Sequence, residues 1–346
     1  MIPYSKQTIE QDDIDAVTKT LISPYLTGGP IVKEFEDKLA EYTGYKYAIA
    51  VNSGTAALRV INMALLELEK AATHIFTTPI TFLATTSTMA DSIGGLVRTI
   101  CFIDVDKNTL NMSIPKNAYG TLLPIDFAGL PCDEFDHYNP TLIVDSAHSL
   151  GAKLSTIPLA RTFSFHPVKS ITTGEGGAVV TNSTEVNASC LSLRDYGRIN
   201  GDSKCVSGNY KMPAINAALG TSQLKKIDRF INRRKEIAYR YHNELPCCLR
   251  LPFWSDNHAW HLYVIRHSKR NEIREKLKEY KIESQIHYRL VYSHSSLQYL
   301  APIEPLPNAE KATLEVLSIP IFPELTYEMQ TYVINSIDKI CKELKL

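Results

Sequence analysis

The sequence predicts an α/β protein. A large domain with a mostly parallel mixed sheet is expected over residues 1–240, and a smaller α+β domain over residues 241–346. Three observations predict it. Short apolar runs of strand length alternate with helix-like stretches, the pattern of parallel strands joined by helical crossovers. The 346 residues exceed what one ordinary core holds. A long charged stretch at 217–245 then separates this pattern from a tail of different texture.

The elements follow in order. TIEQDDIDAVTKTLIS (8–23) reads as a helix opened by a capping box, Thr8 with Gln11 three residues on. YLTGGP breaks it, and IVKEFEDKLAEYTG reads as a second amphipathic helix stopping at Gly44. YAIAV (47–51) is a strand, and NSGTAALRVINMALLELE is a helix that starts at its end. HIFTT, RTICFIDV, GTLLPI and TLIVD are further strands. AALGTSQLKKIDRFINRRKEIAYRYHNEL (217–245) reads as one long helix bridging the two domains. Beyond it HAWHLYVIR and ESQIHY read as strands flanking an amphipathic helix, KRNEIREKLKEYKI. LTYEMQTYVINSIDKICKEL closes the chain as a helix with Met329, Val333, Ile337, Ile340 and Leu344 on one face.

Composition narrows the function. Lys+Arg and Asp+Glu both number 37, so the basic excess of a nucleic-acid surface is missing. Seven cysteines lie without CxxC or any metal-type spacing, which predicts reduced thiols and no bound metal. The start MIPYSKQTIEQDD lacks an apolar signal core, and no run approaches a membrane span. A soluble, cytoplasmic protein without nucleic-acid or membrane partners is expected.

Four stretches carry candidate chemistry. FSFHPVKSITTGEGG (163–177) sets Lys169 before three glycines within four positions, in a chain with only 16. A lysine becomes a useful nucleophile in a dry pocket or as a Schiff base. VNSGTAAL (51–58) runs a strand into Ser53-Gly54-Thr55 at a helix start, where N–H groups and hydroxyls suit a phosphate. TLIVDSAHSLGA (141–152) ends a strand in Asp145 with His148 three residues on, at the sheet end where ligands bind. TTPITFLAT (77–85) presents Phe82, whose ring could stack on a planar cofactor. Each has an ordinary alternative: a surface lysine, a plain helix cap, a half-buried core histidine, a core phenylalanine. Together they supply a phosphate cradle, a stacking ring, a carboxylate for a pyridinium and a Schiff-base lysine, the parts that pyridoxal phosphate demands.

With these motifs, and with YLTGGP, FAGLPCD, GNYKM, IHYRLVYSH and SIPIFPELT, the chain resembles the DegT/DnrJ/EryC1/StrS nucleotide-sugar aminotransferases, which have the aspartate aminotransferase fold (fold type I). HPVKSITTGEGG looks like the branch that aminates C4 of 4-keto-6-deoxy sugars. The resemblance implies that Lys169 carries pyridoxal 5′-phosphate and moves the proton between cofactor and sugar. It implies that Asp145 pairs with the pyridine nitrogen, Phe82 stacks on the ring and His148 sits near its polar edge. Ser53, Gly54, Thr55 and Ser164 would hold the phosphate. Asn209 would reach the cofactor of the other subunit in a homodimer, and Thr27, His261, His287 and Tyr288 would line the sugar pocket.

The chain departs from the family pattern in places. The segments at 133–140 and 153–161 are short, Lys211 stands where Arg is usual, Leu290 where Pro is usual, and Tyr292 where His is common. The expected reaction takes the amino group of L-glutamate to C4 of a nucleotide-linked 4-keto-6-deoxyhexose. UDP-4-keto-6-deoxyglucose, giving UDP-4-amino-4,6-dideoxyglucose (UDP-viosamine), is the first acceptor. A dTDP-linked analogue and the 2-acetamido altrosamine route are the alternatives. A dehydratase of the same family would have histidine in place of Lys169. A non-catalytic sensor or scaffold would not need the lysine or the aspartate.

Overall fold

A computed structural model describes residues 1–70, 72–90, 99–114, 120–132 and 141–346. The shortened segment 133–140 lies outside the described residues. The elements are α1 (Gln11–Leu21), α2 (Gly29–Thr43), β1 (Tyr47–Val51), α3 (Gly54–Glu67), β2 (His74–Thr77), α4 (Leu83–Ala90), β3 (Thr99–Phe102), β4 (Thr121–Leu123) and β5 (Thr141–Asp145). There follow β6 (Ala160–Ser164), β7 (Gly177–Thr181), α5 (Thr184–Leu193), the small pair β8 (Arg198–Ile199) and β9 (Asp202–Ser203), α6 (Ala214–Leu224) and α7 (Ile227–Glu244). The last are β10 (Tyr263–Arg266), α8 (Arg270–Glu279), α9 (Pro307–Glu315), β11 (Val316–Ile319) and α10 (Tyr327–Glu343).

Seven strands form one sheet in the order β1-β7-β6-β5-β4-β2-β3. β7 runs antiparallel to both its neighbours, and the other pairings are parallel, so the sheet is mixed and mostly parallel as expected. Both faces are covered, and the alternation of side chains shows how. Ile49, Val51 and Val179 join α3 and α5 in one apolar cluster, whereas Ala48, Ala50, Ala178 and Val180 join α2 and α6 in another. A further cluster packs the second half of α7, through Ile237 and Tyr241, against β10, β11, α8 and α10. Among the described residues no helix is long and apolar enough to cross a membrane.

Several local expectations need correction. α1 begins at Gln11, not at Thr8, with Asp13 accepting the Glu10 N–H at 2.9 Å. The stretch 217–245 is not one helix. It breaks between α6 and α7, where the Lys226 ammonium is held by Asp12 and Asp13 of α1, each at 2.7 Å. ESQIHY makes only an isolated bridge, Gln285 to Ser318, because the chain then turns inward at His287 and Tyr288. HAWHLYVIR becomes a strand only from Tyr263. In α10 Met329 is exposed, while Val333, Ile337 and Ile340 are buried with Ile334 and Cys341. Gly44, by contrast, ends α2 in the left-handed conformation at φ 72°, as its position predicts.

Candidate active site

The site lies at the carboxyl ends of the parallel strands, where an α/β sheet opens to ligands. A cavity of about 450 Å³ collects residues from eight stretches of chain, from Tyr4 to Tyr288. Lys169 enters from the loop between β6 and β7. That loop is closed by backbone bonds: Phe165 N–H to Gly176 O at 2.9 Å and Thr173 N–H to Phe165 O at 2.9 Å. Phe165 meets Phe35 of α2 edge to face, with centroids 5.4 Å apart, a contact worth about 0.5–1.5 kcal/mol beyond its burial. The glycines after Lys169 explain themselves here. A Cβ on Gly177 would sit 2.6 Å from the Gly54 nitrogen and nearer still to the Ser53 carbonyl. The missing side chain lets the start of α3 lie across β7, beside the lysine.

At that start Ser53 caps α3, accepting the Ala56 N–H at 3.0 Å. Gly54 and Thr55 follow at the cavity wall, where the first N–H groups of a helix have no intrahelical partner. A Cβ on Gly54 would stand 2.7 Å from the Cβ of Ser164, so glycine brings the helix against the end of β6. Ser164 also lines the cavity.

Asp145 closes β5 and is 5% exposed. Its Oδ2 accepts from Thr85 Oγ1 at 2.7 Å and its Oδ1 from Ala147 N–H at 3.1 Å. Burial pushes its pKa up, while Thr85, Ala147 and the Lys169 cation pull it down. Burial pushes the Lys169 amine down to about 8, against the opposing attraction of Asp145. Each group is thus perturbed by burial and, in the opposite direction, by the other's charge.

Three imidazoles and a phenol form the opposite wall. Tyr288 Oη lies 2.9 Å from His148 Nε2, and the His148 and His261 rings are 4.5 Å apart. The Nδ1 atoms of His148 and His261 are buried without a hydrogen-bond partner among the described residues. His287 bonds Ser318 Oγ at 2.8 Å. Burial holds His148 and His261 well below the usual imidazole range and His287 at about 4, so the wall is uncharged at neutral pH. Phe82, 58% exposed, stands at the cavity edge with its ring 6.2 Å from that of Tyr288. It is therefore not a core residue.

The structure brings together Lys169, Asp145, His148, Ser53, Gly54, Thr55, Ser164, Phe82, His261, His287 and Tyr288. It does not bring Thr27 or Asn209 into the cavity of their own chain. Thr27 is exposed and bridges Pro213, and Asn209 is exposed beside Asn52 and Lys211. Lys211 pairs with Asp195 at 2.5 Å. Sequence reasoning missed Thr85, Tyr4 and Glu175 at the cavity. Thr85 stood in the quoted TTPITFLAT, but nothing local marks it as the partner of an aspartate sixty residues on.

The sequence matches the DegT/DnrJ/EryC1/StrS aminotransferase family over residues 7–338. The chain belongs to this family. It is 35% identical to the UDP-4-amino-4,6-dideoxy-N-acetyl-beta-L-altrosamine transaminase of Campylobacter jejuni subsp. jejuni serotype O:23/36 (strain 81-176), across 100% of this chain and 99% of that one. A Helicobacter pylori protein of the same name is 30% identical, with 99% and 98% covered. Among solved structures, Helicobacter pylori PseC, an aminotransferase involved in the biosynthesis of pseudoaminic acid, superposes with a TM-score of 0.90 at 30% identity over 99% of both chains. This aminotransferase is a pyridoxal-phosphate-dependent enzyme of fold type I.

The residues of the aminotransferase fit the cofactor. The glycine-cleared start of α3 offers N–H groups and a hydroxyl for the phosphate. The buried Asp145 carboxylate suits a pyridinium, and the orphaned Nδ1 of His148 gives a polar ring substituent a partner. The depressed Lys169 amine suits an aldehyde.

Proposed function

We propose that the enzyme transfers the amino group of L-glutamate to C4 of a UDP-linked 2-acetamido-4-keto-6-deoxyhexose, forming UDP-4-amino-4,6-dideoxy-N-acetyl-altrosamine. The observation that carries the choice of sugar is the name shared by relatives that align with the whole chain. These relatives reverse the order of acceptors read from the sequence, which ranks UDP-4-keto-6-deoxyglucose first. That sugar takes second place, favoured only by Leu290 and Tyr292.

Bound pyridoxal phosphate supplies an electron sink and holds the amino group between the two substrates. The protein does the rest. Lys169, which lines the cavity, would hold the cofactor through its amine and, when that amine is free, would serve as the proton carrier beside C4 of the sugar. A pKa near 8 keeps it able to act as both base and acid close to neutral pH. Asp145, its two oxygens held in place by Thr85 and Ala147, would keep the pyridine nitrogen protonated. Phe82, at the cavity edge, would cover the ring. The uncharged wall of His148, His261, His287 and Tyr288 offers hydrogen-bonding groups to sugar substituents without attracting the donor's carboxylates.

Thr27 and Asn209 act, on this reading, in the cavity of a second subunit, since neither reaches its own. The enzyme is then a homodimer with shared sites. Domains at 1–240 and 241–346 would follow the two sheet clusters and the β10–β11 cluster, with α7 running across the boundary, since Ile237 and Tyr241 both pack in the latter. The test is direct. The holoenzyme is incubated with glutamate and a panel of UDP- and dTDP-linked 4-keto-6-deoxy sugars, with and without a 2-acetamido group, and products are identified by mass and NMR. Amination at C4 of the UDP 2-acetamido sugar in preference to the others supports the reading. Preference for a 2-hydroxy sugar overturns the choice of substrate, and amination at another carbon overturns the position.

A further inference from the structure

Behind the cavity lies a second aspartate that the chemistry above does not use. Asp126 is fully buried, and both its oxygens are occupied. Its Oδ2 accepts from Ser146 Oγ at 2.8 Å, from Ser149 Oγ at 2.5 Å and from Arg161 Nη1 at 2.9 Å. Its Oδ1 accepts the Cys132 N–H at 2.9 Å. Arg161, also fully buried, donates to Ser146 Oγ at 3.0 Å as well. Ser146 follows Asp145 and Ser149 follows His148, so each hydroxyl sits next in the chain to one of the two cavity residues.

The backbone completes the clamp. The Asp126 N–H donates to Asp145 O at 3.1 Å, and Asp145 N–H to Pro124 O at 3.0 Å. Three residues on, Gly129 has φ +104°, and a Cβ there would stand 2.9 Å from His148 O and 3.0 Å from His261 N. Ala259 N–H donates to Gly129 O at 2.8 Å and Leu262 N–H to Ala128 O at 3.1 Å. The turn 126–130 therefore touches the Asp145–His148 segment on one side and the His261 segment on the other.

We propose that Asp126, paired with Arg161, is a positioning residue of the aminotransferase: through Ser146 and Ser149 it fixes the turn that sets Asp145 and His148 against the cofactor. A carboxylate sharing one oxygen among three donors is a rigid anchor, since charge-assisted hydrogen bonds are about twice as strong as neutral ones. Arg161 lets a second carboxylate be buried next to Asp145 without leaving its charge unmatched. The inference rests on the reading of Asp145 and His148 as cofactor-facing residues.

Asp126→Asn would strand Arg161 in the core and unfold the chain. The test therefore removes the two hydroxyls and leaves the ion pair whole. Holoenzyme carrying Ser146→Ala and Ser149→Ala is compared with wild type and with Asp145→Asn. The readouts are circular dichroism, the pH titration of the cofactor's visible absorbance, and kcat and KM for glutamate. The double variant is expected to keep its circular dichroism and its KM to within about twofold. Its kcat is expected to fall at least about tenfold, short of the hundredfold that a 1 Å misplacement costs. Its absorbance titration is expected to shift in the direction seen for Asp145→Asn. Ser149→Thr combined with Ser146→Ala, which keeps one of the two hydroxyls, is expected to recover part of both effects. If Asp145→Asn moves the titration and the double alanine variant leaves titration and kcat at wild-type values, the inference is overturned and the site assignment stands. If Asp145→Asn moves neither, the site assignment fails and takes the inference with it.

Discussion

Replacing Asp145 by Asn separates charge from shape at the centre of the site. Asp145 is buried, with Thr85 Oγ1 on one oxygen at 2.7 Å and Ala147 N–H on the other at 3.1 Å. An asparagine keeps the second bond through its carbonyl. Its amide can donate to the Thr85 hydroxyl, which accepts as readily as it donates. What disappears is the negative charge opposite the pyridine nitrogen. At 4 Å and an effective dielectric of ~20 that charge is worth about 4 kcal/mol. This equals roughly three pKa units on the ring nitrogen. The ring then loses its proton near neutrality and withdraws electrons less well. Fully expressed in the barrier, this slows the reaction about a thousandfold. A loss of about ten- to a thousandfold is expected in the single-turnover reaction with glutamate, followed by stopped-flow absorbance on cofactor-saturated enzyme. An unchanged rate with the cofactor still bound would refute the electrostatic role.

Three further outcomes are expected. Gly177→Ala places a methyl group 2.6 Å from the Gly54 nitrogen, so α3 must shift; a loss of about 1–3 kcal/mol in urea unfolding and weaker cofactor binding should accompany it. In the cofactor-free chain Lys169 is neutral above about pH 8, so the rate of Schiff-base formation with added pyridoxal phosphate should rise through about pH 8 and then level. A rate still climbing toward pH 10 would mean an ordinary solvated lysine. If Asn209 acts across a dimer interface as proposed, mixing an inactive Lys169→Ala subunit with an Asn209→Ala subunit should restore activity, because one of the two sites in the heterodimer would then be intact. No rescue in heterodimers confirmed by native mass spectrometry would place Asn209 in its own chain's site or in none.

Much of the fold was legible because it is local. β1 to β5 are short apolar runs between breakers, and Gly44 ends α2 for a reason internal to the backbone. The break between α6 and α7 was not legible, since Lys226 is held by carboxylates more than two hundred residues away. ESQIHY alternates like a strand, yet its last two residues serve the cavity, where Tyr288 meets His148. The same division holds for the site. Lys169, Gly54 and Asp145 show themselves through a glycine run, a helix start and a strand end. Thr85, Asp126 and Arg161 act only through partners distant in sequence, and nothing in their neighbourhoods marks them.

The central claim is that the cavity between Lys169 and Asp145 is where the cofactor is held. Borohydride reduction of the holoenzyme followed by peptide mapping tests it most directly. The account predicts a pyridoxyl adduct on Lys169 alone, and none in Lys169→Ala enzyme loaded with the same cofactor. An adduct on any other lysine, or one that survives in Lys169→Ala, would contradict it.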